Sequence, residues 1–258
     1  MIFIDQLQRQ VKISSPVQRI ISIVPSQTEL LYQLGLEEQV VGITKFCIHP
    51  SDWFKNKTKV GGTKKLKLEL IESLNPDLII ANKEENNEQD IEWIAKRFPV
   101  WISDISNVKE AFHMIDQLGL ICNRKKEAII IMDKIDKARN ELQLLKTNRK
   151  ISVCYLIWKD PYMSIGKDTF IHSMLEEAGF KNVFGNRTRY PITNLEEIQS
   201  LNPDYVFLSS EPYPFKATES EVFKTIKTIK VDGEAFSWYG SHLIMSFYYL
   251  CNLISLIR

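Results

Sequence analysis

Apolar and polar residues follow one order along this chain, strand, helix, glycine turn, strand, and the order occurs twice. The first occurrence begins with the apolar run at residues 20–24 and reaches its glycine turn at Gly35, before a second apolar run at 40–42. The second begins at residues 151–157 and turns at Gly179. Strands that alternate with helices predict parallel sheets covered on both faces, with ligand sites at the carboxyl ends of the strands.

An internal repeat supports this division. Residues 68–84 align without gaps to residues 195–211 and match at nine positions, including a Leu-Asn-Pro-Asp tetrad in each copy. A residue that precedes proline avoids the helical conformation, so each copy predicts a short helix that ends at Asn-Pro. The apolar runs that follow predict strands at 78–81 and 205–208.

The segment between the two halves predicts one long amphipathic helix. Residues 124–146 contain no glycine or proline, and their apolar positions recur at spacings of three and four. At 1.5 Å per residue such a helix extends about 30 Å, enough to bridge two domains. We therefore predict an α/β chain with an N-terminal lobe (1–123), a linking backbone helix (124–146) and a C-terminal lobe (147–258).

Composition and charge exclude several classes of protein. Thirty-three Lys and Arg against 32 Asp and Glu give a net charge of +1, too little to hold nucleic acid by its phosphates. The four cysteines form no C-x-x-C pair, and the histidines have no metal-ligand spacing, so no metal site is predicted. No run of 18 apolar residues is present, and direct membrane insertion is not expected.

The sequence also lacks the motifs of common enzymes built on such sheets. It contains no G-x-G-x-x-G after a strand, no P-loop and no G-x-S-x-G nucleophile elbow. These absences argue against an enzyme, and we predict no catalytic residues and no resident cofactor. The first residues do not form a secretory signal as written, so we expect either a cytoplasmic protein or one whose leader has been removed.

The order and spacing of several short segments carry a resemblance to a known family. These segments are Arg-Ile-Ile-Ser-Ile-Val-Pro-Ser-Gln-Thr-Glu at 19–29, Leu-Gly at 34–35, Val-Gly at 41–42, Val-Gly-Gly at 60–62, Asn-Pro-Asp-Leu at 75–78, Ile-Trp at 157–158 leading to the glycine at 166, and the stretch 178–184. With them the chain resembles the substrate-binding proteins of ABC importers for cobalamin, haem and iron-siderophores, and most of all the cobalamin-binding members.

The resemblance implies a specific architecture and role. It implies two Rossmann-like parallel-sheet lobes joined by a single long backbone helix, with a ligand captured in the cleft between the lobes. The implied ligand is a metal-containing macrocycle (cobalamin or haem) or a ferric siderophore, delivered by a monomeric, extracytoplasmic protein to an ABC transporter permease dimer. The alternatives are a haem or iron-siderophore binder, and a cytoplasmic corrinoid or haem carrier.

Candidate ligand-binding residues follow the predicted strands. Ser26-Gln-Thr-Glu29 fits a helix capping box, and its helix N-terminus also faces the cleft, so we expect Ser26 and Gln27 to contact the ligand. A flat macrocycle is best held by aromatic stacking. The aromatic candidates at loop positions are Phe46, Trp158, Tyr162, Tyr190, Trp238 and Tyr239. His242 is a further candidate, either as a ligand of the macrocycle's metal or as a polar or helix-capping residue.

Two glutamates occupy equivalent positions in the repeat. Glu69 and Glu196 match the positions at which, in the resembling family, a glutamate of each lobe pairs with arginines of the permease. Thr193-Asn-Leu-Glu196 also fits a capping box, so the same acids can instead cap or favour a helix start. Both interpretations remain open from the sequence.

Overall fold

The computed structural model of the protein describes residues 1–146, 150–223 and 226–257. The chain forms two compact units. The first comprises Met1–Asp104, Lys109–Lys134 and Tyr239–His242, and the second comprises Ile105–Val108, Ile135–Trp238 and Leu243 onward. Residues 147–149, at the start of the predicted C-terminal lobe, lie outside the described residues.

Strands and helices alternate along most of the chain. The strands are β1 (Ile2–Ile4), β2 (Gln10–Lys12), β3 (Ile20–Ser22), β4 (Val40–Ile43), β5 (Thr58–Lys59), β6 (Gly61–Gly62), β7 (Lys65–Leu66), β8 (Leu78–Asn82), β9 (Val100–Ser103), β10 (Ser152–Leu156), β11 (Tyr162–Met163), β12 (Lys181–Asn182), β13 (Ile192–Thr193), β14 (Tyr205–Ser209) and β15 (Lys227–Val231). The helices are α1 (Pro25–Gln33), α2 (Ser51–Asn56), α3 (Leu68–Ser73), α4 (Glu88–Ala95), α5 (Val108–Ile121), α6 (Lys125–Leu144), α7 (Phe170–Glu177), α8 (Leu195–Leu201), α9 (Glu234–Ser237) and α10 (Leu243–Ile257), with 3₁₀ turns at Ala217–Phe223 and Gly240–His242.

Each unit contains a parallel sheet. In the first unit the strand order is β5-β4-β3-β8-β9, and in the second it is β12-β10-β14-β15. Every residue of β3, β8 and β9 is buried, as expected for strands covered on both faces. The predicted parallel α/β fold with a long helix is therefore confirmed.

The repeated Leu-Asn-Pro-Asp tetrad performs the same task in both units. Asn75 and Asn202 adopt left-handed backbone conformations, with φ of 44° and 45°, where α3 and α8 end. Asp77 then accepts hydrogen bonds from the backbone N–H groups of residues 18 and 19, at 2.7 and 2.9 Å, just before β3. Asp204 likewise accepts from the N–H and hydroxyl of Ser152, each at 2.7 Å, at the start of β10. In both units the tetrad thus ends a helix, and its aspartate fixes the start of the neighbouring strand, which is β3 in the first unit and β10 in the second.

The long helix α6 lies within the predicted range. Its 20 residues bury Ile131, Ile135, Ala138 and Leu142, which are the apolar positions that predicted it. Within the second unit, the Arg139 guanidinium of α6 lies 2.6 Å from the Glu177 carboxylate of α7.

Among the described residues, one segment, Gly240–Ile257, is long and apolar enough by composition to cross a membrane. Within the second unit, however, α10 packs against α9 and buries one face of its length. The buried residues are Leu243, Ser246, Phe247, Leu250, Leu253 and Ile254. This pattern is typical of the core helix of a globular protein.

Candidate functional site

The carboxyl ends of β3, β4, β8 and β9 meet at one edge of the first sheet, because these strands are parallel. Helix α1 starts directly after β3, but its N-cap is Val24 and Pro25 is its first residue. Ser26 therefore lies inside the helix, where it cannot cap, and the predicted Ser26–Glu29 capping box is wrong. Proline is favoured at the first helical position, which moves the start of α1 ahead of the serine.

Glu29 instead pairs with a residue from the far end of the chain. One of its carboxylate oxygens lies 2.9 Å from Nδ1 of His242, and the other accepts a 3.4 Å hydrogen bond from the Ser241 hydroxyl. Both the glutamate and the histidine side chains are about one-sixth exposed, at 17% each. The contact fixes the imidazole against α1. Among the described residues no group of three His, Cys, Asp or Glu side chains converges on a metal site.

The side chain of Gln27 is fully buried and forms hydrogen bonds at the end of β9. Its Nε2 donates to the Ser103 hydroxyl, which also accepts from Asn82 Nδ2 at 3.0 Å and donates to the Ala81 carbonyl at 3.1 Å. The Gln27 Oε1 atom has no hydrogen-bond partner among the described residues. Tyr239 is also buried, and desolvation raises the pKa of its phenol well above the usual value. The side chains of Gln27, Ser103 and Tyr239 are therefore buried and do not form an exposed surface.

Phe46 is the exposed aromatic residue of this edge. It follows β4 and is 49% exposed. Its ring packs on Gly62, where a Cβ atom would approach the ring to 3.1 Å, so the absence of a side chain there makes room for the ring. Lys45 Nζ lies 5.0 Å from the ring centroid, within range of a cation–π interaction. The result is a fixed apolar face bordered by a positive charge.

Trp158 is an exposed aromatic residue of the second unit. It follows β10, pairs with Met163 in an isolated β-bridge and is 41% exposed. Its ring lies 5.7 Å from the ring of Tyr213, which in turn lies 4.8 Å from that of Phe215. Tyr162 is half-buried on β11 and its ring lies 5.9 Å from that of Phe223.

The remaining aromatic candidates differ in exposure. Tyr190 is partly exposed, and the Arg189 guanidinium lies 5.4 Å from its ring centroid. Trp238 is only 8% exposed, at the C-cap of α9. Because its indole is buried, Trp238 is expected to contribute more to the stability of the fold than Trp158 does.

A polar network beside Trp158 was missed by the sequence analysis. Glu219 accepts hydrogen bonds from Lys159 Nζ at 2.8 Å, from the Tyr213 hydroxyl at 2.9 Å and from the Lys216 backbone N–H at 2.7 Å. These donors lower the pKa of Glu219 to about 2, and the Lys159 ammonium has the largest effect. The carboxylate is therefore ionised throughout the neutral range and holds the tyrosine hydroxyl.

Glu69 and Glu196 lie in the first turns of α3 and α8, and both are exposed. The predicted Thr193–Glu196 capping box is wrong by one residue. Asn194 is the N-cap and accepts from the Glu197 N–H at 2.9 Å, while Thr193 donates to the Glu197 carboxylate at 2.7 Å. Asparagine is a better N-cap than threonine, which explains the shift. Capping by Glu196 is thus excluded, and its carboxylate faces solvent.

Each unit thus contains a parallel sheet, and exposed aromatic residues lie beyond the carboxyl ends of its strands. The chain belongs to the periplasmic binding protein family, whose sequence pattern matches residues 20–229. It is a substrate-binding protein of the ABC-importer type rather than an enzyme, as its relatives are.

Two relatives and one solved structure illustrate the similarity. An uncharacterised ABC transporter substrate-binding lipoprotein of Bacillus subtilis is 28% identical over 225 residues, covering 83% of this chain and 70% of the relative. A vitamin B12-binding protein of Vibrio parahaemolyticus is 26% identical over 203 residues, covering 76% and 72%. The periplasmic haem-binding protein of Vibrio cholerae shares the fold, with a TM-score of 0.77, 19% identity and coverage of 93% and 99%.

Proposed function

We propose that this protein binds a corrinoid, a cobalamin-like ligand, and delivers it to an ABC transporter permease dimer. The observation that carries the proposal is the pair of exposed aromatic faces beyond the strand ends, Phe46 in the first unit and Trp158 in the second. Aromatic rings offer large, rigid contact area to a flat macrocycle at little cost in conformational entropy. Similarity to vitamin B12-binding proteins supports the same ligand class.

Haem is the second candidate, and one feature favours it. A cation borders an aromatic residue in each unit, Lys45 beside Phe46 and Arg189 beside Tyr190. Positive charges there would attract the carboxylates at the edge of a haem more strongly than the neutral amides around a corrin ring. Ferric siderophores that carry a net negative charge fall under the same argument.

The proposal assigns no metal-ligating residue to the protein. His242 is engaged with Glu29 through Nδ1, and we assign this pair to the support of α1 rather than to the ligand's metal. Ser26, Gln27, Tyr239 and Trp238 are all buried, so we assign them to the layer beneath the binding surface.

Delivery requires a contact with the permease, and we propose that Glu69 and Glu196 make it. The repeat places them at equivalent points of the two units, each exposed in the first turn of a helix. Two equivalent carboxylates suit a symmetric partner that presents two basic sites. We propose that the protein acts as a monomer and that it lies outside the cytoplasmic membrane, where members of its family are found. A cytoplasmic corrinoid carrier is the alternative.

A ligand panel tests the assignment. The purified protein is titrated with cyanocobalamin, dicyanocobinamide, haemin and a ferric siderophore, and binding is followed by absorbance and by calorimetry. The proposal expects saturable 1:1 binding of the two corrinoids. Saturation by haemin or the siderophore alone would replace the corrinoid with the second candidate, and a protein that binds none of the four would contradict both.

A further inference from the structure

Three aromatic rings, those of Phe215, Tyr213 and Trp158, contact one another in sequence from the core to the surface of the second unit. Phe215 is buried, Tyr213 is half-buried, and Trp158 is the outermost ring. The ring planes are inclined by 72° between Phe215 and Tyr213 and by 65° between Tyr213 and Trp158. Edge-to-face contacts of this kind are favourable for aromatic pairs. The position of the Tyr213 ring therefore influences the position of the Trp158 indole that packs against it.

Tyr213 is held at both ends. Its backbone N–H donates to the Ile157 carbonyl at 3.3 Å, next to Trp158 in the chain, and its hydroxyl donates to Glu219 at 2.9 Å. Glu219 is itself fixed by Lys159 and by the backbone of Lys216. A carboxylate that accepts several hydrogen bonds, one from a charged donor, has little freedom to move.

A fixed wall matters for binding because side chains that are already ordered lose little conformational freedom when the ligand arrives. Lys159 follows Trp158 directly, so the residue that presents the indole and the residue that anchors Glu219 are neighbours on one strand end. The network therefore connects the position of the exposed indole to a single carboxylate about sixty residues further along the chain.

We propose that Tyr213 forms, with Trp158, a two-ring wall for a flat conjugated ligand, and that Glu219 is the positioning residue that holds this wall before binding. The inference rests on the proposed function for the identity of the ligand. The position of the wall in the free protein does not depend on it, and the two can be tested apart.

The first measurement uses the protein without ligand. Acrylamide quenching of Trp158 is obtained as the difference between each protein and its Trp158→Phe counterpart, for wild type, Glu219→Gln, Tyr213→Phe and the double variant. Both single variants are expected to raise the quenching constant of Trp158, because Tyr213→Phe removes the donor of the Tyr213–Glu219 hydrogen bond and Glu219→Gln replaces its charged acceptor with a weaker neutral one. The double variant is expected to raise the constant no further than the stronger single variant, because both changes act on the same hydrogen bond. Glu177→Gln is the matched control: Glu177 is also an ion-paired carboxylate of the second unit, 14% exposed against 12% for Glu219, and lies in a separate pair with Arg139.

The second measurement is the Kd for cyanocobalamin. Glu219→Gln and Tyr213→Phe are each expected to weaken binding by about two- to tenfold, the range typical for one hydrogen bond, and the double variant no more than the stronger single variant. Glu177→Gln should leave the Kd unchanged even where it lowers the unfolding temperature. Effects of the two single changes that multiply in the double variant, or Trp158 quenching unchanged in both singles, would overturn the inference.

Two further outcomes keep the proposals separate. If Glu219→Gln fails to fold, Tyr213→Phe removes only one hydroxyl and still decides whether that contact holds Trp158. If the wild type binds neither cyanocobalamin nor haemin while the quenching results are as expected, the proposed ligand is wrong and the positioning role of Glu219 stands.

Discussion

Replacing Trp158 with alanine should weaken ligand binding without unfolding the protein. An indole side chain buries up to about 250 Å² when fully covered, so the 41% that is exposed here offers about 100 Å² to a ligand. At about 25 cal/mol per Å², covering most of that area contributes about 2 kcal/mol, which corresponds to a roughly thirtyfold increase in Kd.

The assay is a calorimetric titration of cyanocobalamin into wild type and Trp158→Ala, with thermal unfolding measured in parallel. Trp93→Ala is the control, because it also removes an indole but from α4, where the ring stacks on Arg97 at 3.8 Å from the guanidinium carbon. Trp93→Ala should leave the Kd within about twofold. Equal losses of affinity in the two variants, or none in Trp158→Ala, would refute the assignment of Trp158 to the ligand.

Three further predictions concern docking, folding and pH. The double change Glu69→Gln and Glu196→Gln should preserve the unfolding temperature and the Kd for ligand, since exposed carboxylates contribute little to stability, but should slow association with the permease and reduce its salt dependence; unchanged association kinetics would exclude docking. Asp77→Ala and Asp204→Ala should each lower the free energy of unfolding by about 0.5–1.5 kcal/mol in urea denaturation, because each removes hydrogen bonds to backbone N–H groups at the start of a strand, and a loss in only one of them would show that the tetrads are not equivalent. Because the folded-state pKa of Glu219 is depressed to about 2, its stabilising contribution should be complete above about pH 4.5 and disappear as the pH falls towards 2, so Glu219→Gln should differ from wild type in unfolding free energy at pH 7 but not near pH 2.

The features that the sequence predicts best are those determined by local backbone rules. Asn-Pro must end a helix, and the apolar run after it must be buried, so β8 and β14 appear where the repeat predicts them. The same holds for α6, whose apolar spacing is unbroken across its buried face. The order of strands within each sheet was not predicted, because it depends on which strands pair in space.

Both predicted capping boxes are wrong because a neighbouring residue sets the start of the helix. Pro25 takes the first position of α1 ahead of Ser26, and Asn194 caps α8 in place of Thr193. In each case the box motif is present, but the helix starts elsewhere: the N-cap of α1 lies two positions before Ser26, and that of α8 lies one position after Thr193.

Sequence position predicted the exposure of only some of the candidate binding residues. Loop position correctly indicated exposure for Phe46 and Trp158, whereas Trp238 and Tyr239, which come from an equally promising segment, are buried. The contact of Glu219 with Lys159 joins residues 60 positions apart, and no periodicity or motif marks such a pair in one sequence. A nearby signal was the aromatic pair Tyr213 and Phe215, separated by a proline in a loop.

The most direct test of the proposed function is the fluorescence of Trp158 itself during titration with cyanocobalamin. The signal is taken as the difference between wild type and Trp158→Phe, which removes the contribution of the other four of the five tryptophans. Corrinoid binding at this wall predicts quenching of Trp158 that saturates at one ligand per chain. A Trp158 signal that cyanocobalamin leaves unchanged, while haemin or a ferric siderophore quenches it to saturation, would contradict the corrinoid assignment.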